Sequence, residues 1–556
     1  MRREASVVNK KVCSFPILFA LLALLIGTCA VVFPASAQAA PTSTGSITVS
    51  GTVASSYDAY QIFSANVVDG DSDAKIATEL AWASDAVRDV ALPVLHSAGM
   101  SNSQTTAQEA AEWLNTDSHL TSALSAQLAR SLQSSGAEFV ALNAGTAAEL
   151  SCGYWLIVAD DAAIAQGEAG TAPIMALVGG SAVTVKPKAA TPKVKKHVLE
   201  DSTAAWQKAA DATVADDLYW RLSATVPAGL TAYDTYTVRF VDTMGAGLDP
   251  SKVAASMRVY VAAGAGGGFD AVACEGGNAS STPAKGWTDI TSQCKVSTEG
   301  NAFTVRTGDL VAALGGVDAF TAGARVVAVY NAPLGANCNQ GATKGNPNEV
   351  YLRYPRSPLA DQSGDAGFTR TPSDDACAYT WGLSLVKRSS SDDEPLAGAK
   401  LRIIDDRGRI LMSDGSWSTD ADVCVATGAD GHVELSGVDA GVYTVEEVAA
   451  PKGYTAFEGK RTVTVTAEGL DVKQVAAAKP KVTVSAESPL RVDIADAGTG
   501  SIELSVLNTP SKEASRGFMP STGDRALVLV AVLAAIGVAA IVVALVIKRG
   551  GGRREK

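Results

Sequence analysis

The chain has 556 residues, 46 basic against 58 acidic, for a net charge of −12 at pH 7. Three to four domains fit that length, which excludes one small catalytic domain, and the acidic balance offers no broad basic field to gather phosphate backbones, which argues against nucleic acid as a partner. With 19% charged and 47% hydrophobic residues the chain can bury sizeable cores, so wholesale disorder is excluded too.

Both ends read as addresses. Arg2, Arg3, Lys10 and Lys11 precede an apolar run from Phe15 to Phe33 and the small residues Ala35-Ser36-Ala37-Gln38-Ala39, the pattern of a secretory signal cleaved near Ala39. At the far end Ala526–Ile547 is uncharged and long enough to span hydrocarbon, and Lys548, Arg549, Arg553 and Arg554 follow it. That order predicts a transmembrane helix with its basic tail inside and everything before it exported.

Between the addresses, residues 40–189 open with the alternating Ser46-Ile47-Thr48-Val49-Ser50, then show helical periodicity from Ala107 to Leu132 (Ala110, Trp113, Leu114, Leu120, Leu124, Leu128). Gly153–Val158 and Val183-Thr184-Val185 read as strands, which predicts a β-domain with a helical insertion. A Lys/Pro stretch, Lys186–Lys196, marks the first boundary. Residues 190–372 carry β-branched runs (Tyr236–Val241, Phe303–Val305, Val326–Tyr330) between Gly/Asn/Asp turns, as in a sandwich. Ser357–Asp375 reads as polar linker, and residues 373–511 repeat the all-β pattern at Leu383–Val386, Lys400–Ile404, Val442–Val445, Val482–Val484 and Ile502–Val506.

Cys13 and Cys29 leave with the signal, and the six remaining cysteines are disulfide candidates in an exported chain. Proximity pairs Cys274 with Cys294 and Cys377 with Cys424, and leaves Cys152 and Cys338 without an obvious partner. No C-x-x-C pair occurs, so zinc chemistry has no support.

Four motifs carry chemistry. Phe518-Met519-Pro520-Ser521-Thr522-Gly523 stands before the apolar span and basic end, and resembles the sorting signal read by sortases, with Met519 where Leu is usual. The resemblance implies cleavage between Thr522 and Gly523 and transfer of the acyl group to an amine. Val183-Thr184-Val185-Lys186-Pro187-Lys188 resembles the pilin motif of backbone subunits in Gram-positive sortase-assembled fimbriae, W-x-x-x-V-x-V-Y-P-K. It implies Lys188 as the amine that joins the next subunit. Gly179 stands at the motif's Trp and Lys186 at its Tyr, which leaves Lys186 and Lys193 as rival donors.

Tyr443-x-Val445-x-Glu447-x-x-Ala450-Pro451-x-Gly453-Tyr454 resembles the E-box of the same family, with Val448 in place of Thr. It lies in a segment that begins Trp381-x-Leu383-x-Leu385-x-Lys387 and ends Leu504-x-Val506-x-Asn508, as do family domains crosslinked by a Lys–Asn isopeptide bond. The implied set is Lys387, Asn508 and Glu447. A looser set in the middle region gives Lys196 as nucleophile, Asp242 as acid and Asn348 as acceptor, with Asn346 as the alternative acceptor. Such a bond needs a neutral amine, favoured by burial, a protonated carboxyl to polarise the Asn carbonyl and pass protons to departing ammonia, and enforced contact between amine and carbonyl. No equally clear set occurs in the N-terminal region, where no bond is expected.

The expected architecture is therefore mainly β: tandem Ig-like, CNA-type β-sandwich domains, the first with a helical insertion, then residues 512–556 as sorting signal, transmembrane helix and basic tail. The resemblance implies a covalent homopolymer on the cell wall, built by pilin-specific and housekeeping sortases, attached to peptidoglycan and supporting adhesion to a host or bacterial surface ligand. A monomeric wall-anchored adhesin or accessory tip subunit is the alternative. A multi-turnover enzyme is not expected: His96, His119, His197 and His432 are scattered, Gly264–Gly268 lacks the Lys-Ser/Thr of a phosphate loop, and Asp69–Asp73 has Leu80 where a calcium loop needs Glu. Neither cofactor nor metal is expected.

Overall fold

The computed structural model describes residues 43–511, apart from 72–73, 117–118, 189, 270–273, 276–277, 280–284, 415 and 497–498. The expected signal peptide, sorting signal and apolar span, Ala526–Ile547, lie outside the described residues. Among those described, no helix is long and apolar enough to cross a membrane. What is described is mainly β, in three modules.

The N-terminal module is built on a five-stranded sheet, Lys75–Trp82, Ser56–Asp69, Gly153–Ala159 and Ile174–Val178 in that order, with Val140–Asn143 also paired to Ser56–Asp69. Helices Asp85–Ser97, Ala107–Asn115 and Ser122–Ser135 cover one face. A small sheet of Ala147–Ser151, Thr44–Val49 and Val183–Val185 covers the other. Gly153–Ala159 is apolar throughout because successive side chains point to opposite faces: Leu156 and Val158 pack with the helices, Trp155 and Ile157 with the small sheet.

The single periodicity expected from Ala107 to Leu132 is two helices, each started by a threonine cap: Thr106 closes a capping box with Glu109, and Thr121 accepts from Leu124 N. Asp85–Ser97, capped by Ser84, is a helix that sequence periodicity did not mark. Pro93 stands inside it, where proline removes a backbone donor.

The middle module is a two-sheet sandwich. One sheet runs Ala205–Gln207, Lys193–Glu200, Tyr219–Val226, Ala324–Asn331, Arg258–Ala263, Thr288–Asp289. The other runs Ala209–Asp211, Asp374–Tyr379, Asn346–Pro355, Arg239–Met244, Ala302–Arg306, Lys295–Glu299, with Phe368–Arg370 beside Asn346–Pro355. Two expected boundaries move as a result. Asp374–Tyr379 pairs with Asn346–Pro355 and belongs to the middle sheet, so the C-terminal module begins at about Thr380 rather than at 373. Ser357–Asp375 is not a linker either: Gln362 is bonded to Thr237 N, Arg239 and Arg353 hold Asp365, and Gly170 N of the N-terminal module donates to Arg356 O at 2.7 Å. The strand expected over Tyr236–Val241 starts at Arg239; ahead of it, Tyr236 N is taken by the Asp309 carboxylate.

The C-terminal module is a second sandwich. His432–Val438, Trp381–Ser389, Ser501–Pro510 and Tyr454–Thr455 form one sheet, with Leu490–Asp496 also on Ser501–Pro510. Gly441–Ala449, between Lys400–Ile404 and Lys460–Glu468, is central in the other. The first and last strands of the module pair in parallel, Lys387 opposite Val506 and Ser389 opposite Asn508.

Neither expected disulfide is present among the described residues. Cys377 and Cys424 are free thiols: Cys377 lies buried on a strand of the middle module's sheet, whereas Cys424 precedes a strand of the C-terminal sandwich that pairs with Lys400–Ile404. Burial pushes the Cys377 thiol up to about 11. Cys294 is also free, its Sγ donating to Ile290 O at 3.3 Å, and the side chain of Cys274 lies outside the described residues. Cys152 and Cys338 are free as well.

Candidate functional site: two buried Lys–Asn–carboxyl clusters

Strand alternation places the C-terminal cluster. On Trp381–Ser389 the inward positions are Trp381, Leu383, Leu385 and Lys387; on Ser501–Pro510 they are Ile502, Leu504, Val506 and Asn508; on Gly441–Ala449 they are Tyr443, Val445 and Glu447. Each polar residue therefore continues an apolar stripe into the core, and Lys387 is 0% and Asn508 1% exposed. Lys387 and Asn508 share a sheet, and Glu447 reaches across from the other.

Lys387 Nζ lies 2.5 Å from Asn508 Oδ1 and 3.1 Å from Glu447 Oε1, and Asn508 Nδ2 donates to the same Glu447 oxygen at 2.8 Å. The other carboxylate oxygen accepts from Phe457 N at 3.0 Å, and the Phe457 ring lies 5.8 Å from Nζ. Burial brings the Lys387 ammonium down to about 8, against the opposing pull of Glu447. The acid was expected at the amide carbonyl; it faces the amide nitrogen, while the lysine itself occupies the carbonyl side.

The middle cluster divides its members differently. Lys196, flanked on its inward stripe by Val194 and Val198, lies on one sheet; Asp242 and Asn348 share the other, where Asp242 pairs with Val350 and Met244 with Asn348. All three are 0% exposed. Lys196 Nζ is hydrogen-bonded to Asp242 Oδ2, and to the Tyr330 hydroxyl at 2.8 Å. Tyr330 donates to Asp242 Oδ2 at 3.1 Å and accepts from Asn348 Nδ2 at 2.8 Å. Asp242 Oδ1 and Asn348 Oδ1 are buried without a partner, a costly state that chemistry or proton transfer can relieve. Burial lowers Lys196 to about 8, with Asp242 opposing, and the same burial raises Asp242, with Lys196 opposing.

Asn346 is not in this cluster. Its Nδ2 donates to Asn339 O at 2.9 Å and Ala378 O at 3.2 Å, and its Oδ1 accepts from Asn339 N. It ties down a loop, whereas Asn348 joins the cluster through the Tyr330 hydroxyl that Lys196 also bonds.

Sequence reasoning missed two members. Tyr330 was read only as part of an apolar strand, Val326–Tyr330; the available signal was that it carries the one hydroxyl on the inward stripe Ala324, Val326, Ala328, Tyr330. Lys208 was not singled out: its buried ammonium donates to Lys196 O at 2.8 Å and to Asp374 Oδ2 at 2.5 Å, and Asp374 in turn accepts from Lys196 N at 2.7 Å. Lys208 and Asp374 thereby clamp the backbone of Lys196 from both sides.

Lys188 is exposed, as are Lys186 and Lys193. Val183–Val185 pairs in parallel with Thr44–Val49, and Val185 is buried between the sheets, so the segment is anchored up to the lysine. At Gly179, where the resembling motif has Trp, φ is +131° and a Cβ would stand 2.6 Å from Val67 Cβ and 2.8 Å from Cys152 Sγ. No side chain fits there. Asp69, from the calcium-like run, is instead occupied by Ser181 and Lys75, and no group of candidate metal ligands occurs among the described residues.

Comparison with known proteins gives a local family match and a wider likeness. No curated protein matches the sequence. Among solved structures, the T6 backbone pilin of Streptococcus pyogenes is 15% identical with a TM-score of 0.46, over 84% of this chain and 98% of that one. The full-length major pilin SpaD of Corynebacterium diphtheriae is 15% identical with a TM-score of 0.43, over 85% and 100%. BcpA, the major pilin subunit of Bacillus cereus, is 11% identical with a TM-score of 0.37, over 84% and 99%. Residues 382–480 match the family model SpaA, a prealbumin-like fold domain, so the family likeness falls on the module that carries Lys387 and Glu447.

Proposed function

We propose that the chain is a shaft subunit of a sortase-assembled fimbria, with its middle and C-terminal modules each closed by a Lys–Asn isopeptide bond. The observation that carries this reading is Lys387 Nζ at 2.5 Å from Asn508 Oδ1, fully buried, with Glu447 against both.

In the C-terminal module, neutral Nζ attacks Asn508 Cγ. One amine proton passes to Glu447, and a proton from that carboxyl passes to Nδ2 as the Cγ–Nδ2 bond breaks and ammonia leaves. The carboxyl ends as it began, so it acts as a single-turnover relay. Contact enforced by the core replaces a bimolecular encounter. The new bond joins the first and last strands of the module, so a pulling force along the chain meets a covalent link. In the middle module Lys196, Asn348 and Asp242 take the corresponding parts.

Between subunits, the reading requires Thr522 of one copy to be transferred to Lys188 of the next, with Lys186 and Lys193 as the rival acceptors, and the last copy to be passed to peptidoglycan. Exposure of Lys188 at the end of an anchored strand supports this. The test is a boiled, reduced gel of wall extract comparing wild type with Lys188→Ala. A ladder that collapses in the variant supports the shaft and its donor; a surviving ladder moves the donor to Lys186 or Lys193; a wild-type monomer alone overturns the shaft in favour of an adhesin.

A further inference from the structure

The two clusters differ in how the acid reaches the amide. Glu447 accepts directly from Asn508 Nδ2 at 2.8 Å. Asp242 is one methylene shorter, and its path to Asn348 Nδ2 runs through the Tyr330 hydroxyl, which bonds Asp242 Oδ2 at 3.1 Å on one side and Nδ2 at 2.8 Å on the other. The same hydroxyl is 2.8 Å from the attacking Lys196 Nζ. Tyr330 thus touches all three reacting groups from a fully buried position, with its ring held edge-on by Phe303 at 4.7 Å between centroids.

We propose that Tyr330 is a fourth catalytic residue of the middle module, relaying the proton from Asp242 to the amide nitrogen that leaves as ammonia. This rests on the isopeptide reading given above. In the resting cluster Nδ2 donates to the Tyr330 oxygen and Tyr330 to Asp242. Once Lys196 Nζ has bonded to Asn348 Cγ, Nδ2 is no longer conjugated and becomes an acceptor, and the hydroxyl turns to it. The Asp242 proton passes to the Tyr330 oxygen, the Tyr330 hydroxyl proton passes to Nδ2, and the Cγ–Nδ2 bond breaks. Asp242 then takes the proton released by the amine. Tyrosine and acid are regenerated, and the net change is amine plus carboxamide to amide plus ammonia. Burial keeps the phenol well above its usual titration range, so it serves as a hydroxyl that accepts and donates together rather than as a phenolate.

The relay accounts for an aspartate standing where the C-terminal module has a glutamate. The added oxygen spans the gap that the shorter side chain leaves, and a chain of hydrogen bonds in a dry core transmits a proton without admitting water.

The test is the intact mass of the exported region, residues 40–511, recovered unfolded before either bond has closed and sampled during refolding. The C-terminal bond serves as an internal clock in the same molecule. Wild type should lose two ammonias; Tyr330→Phe should lose the C-terminal one at the wild-type rate and the middle one roughly tenfold or more slowly. Phe303→Leu, which loosens the ring but keeps the hydroxyl, should slow the middle bond clearly less than Tyr330→Phe does and leave the C-terminal one at the wild-type rate. Equal closure of the middle bond in wild type and Tyr330→Phe, or slowing in Phe303→Leu as large as in Tyr330→Phe, overturns the relay alone. A wild type that never loses the middle ammonia overturns both the relay and the bond on which it depends.

Discussion

Lys387 and Asn508 stand on neighbouring parallel strands two positions out of step, Lys387 facing Val506 in the register while its Nζ reaches diagonally to the Asn508 amide at 2.5 Å. Bonded, they close a loop with a sequence separation of 121. By analogy with a crosslink over a loop of that size, closure stabilises the module by about 4–5 kcal/mol. Asn508→Ala should therefore fall short of its own sequence mass by one ammonia fewer than wild type does, and lower the C-terminal unfolding transition by on the order of 15 °C. Intact mass and calorimetry read both effects, and a variant that still loses as many ammonias as wild type would remove this amide from the chemistry.

The acids give a separate prediction. Glu447→Ala and Asp242→Ala should each restore one ammonia to the mass after reduction, each in its own module. Because an uncompensated lysine is then left in the core, each variant should also be destabilised, by about 3–5 kcal/mol. A variant that still loses its ammonia would disprove that assignment.

Closure of the middle bond should have a bell-shaped pH dependence, since neutral Lys196 and protonated Asp242 together hold one proton between them. Burial lowers Lys196 to about 8, so above that pH the shared proton is lost and the acid with it. Below the raised range of Asp242, both groups are protonated and the amine cannot attack. Refolding the uncrosslinked chain across pH and scoring mass should show the rate falling on both sides; a rate still rising above pH 9 would mean the carboxyl need not carry a proton.

How much of this was legible follows from where each residue sits on its strand. Lys196, Lys387 and Asn508 interrupt inward apolar stripes, and alternation exposes such polar interruptions in sequence. Asn346 and Asn348 both point inward on one strand, so alternation could not separate them; Asn339 and Ala378, remote in sequence or loop, take up the first. Tyr330 is an ordinary β-core residue by type, and its role depends on cross-sheet neighbours that no spacing encodes. The boundary near 373 was misplaced because Asp374–Tyr379 alternates as well for one sandwich as for the other, and only pairing with Asn346–Pro355 assigns it. The cysteine pairs were drawn from proximity in sequence, which says nothing about which sheet each thiol joins.

The joint between middle and C-terminal modules yields the last prediction. Asp211 Oδ2 accepts from Trp381 Nε1 at 2.8 Å and from Ala440 N at 2.9 Å, so one carboxylate of the middle module satisfies two donors of the next. Glu200, Asp201 and Asp439 crowd around it. Burial, then repulsion from Asp211, pushes Glu200 up to about 7; burial first, then neighbouring carboxylates, raises Asp201 and Asp439 too. Arg407 approaches Asp201 at 3.9 Å, and Arg409 grips Asp216 through both oxygens, at 2.8 and 2.7 Å. A carboxyl whose folded pKa is raised stabilises fully below its unfolded value and loses that contribution as pH rises through the folded one. The joint should thus be firmest near pH 4.5 and weaken toward pH 7, with Glu200 contributing on the order of 2 kcal/mol. Glu200→Gln should flatten that dependence while leaving both ammonia losses intact. Calorimetry of residues 40–511 across pH reads it, and a variant whose stability still falls as steeply as wild type would place the titrating group elsewhere in the cluster.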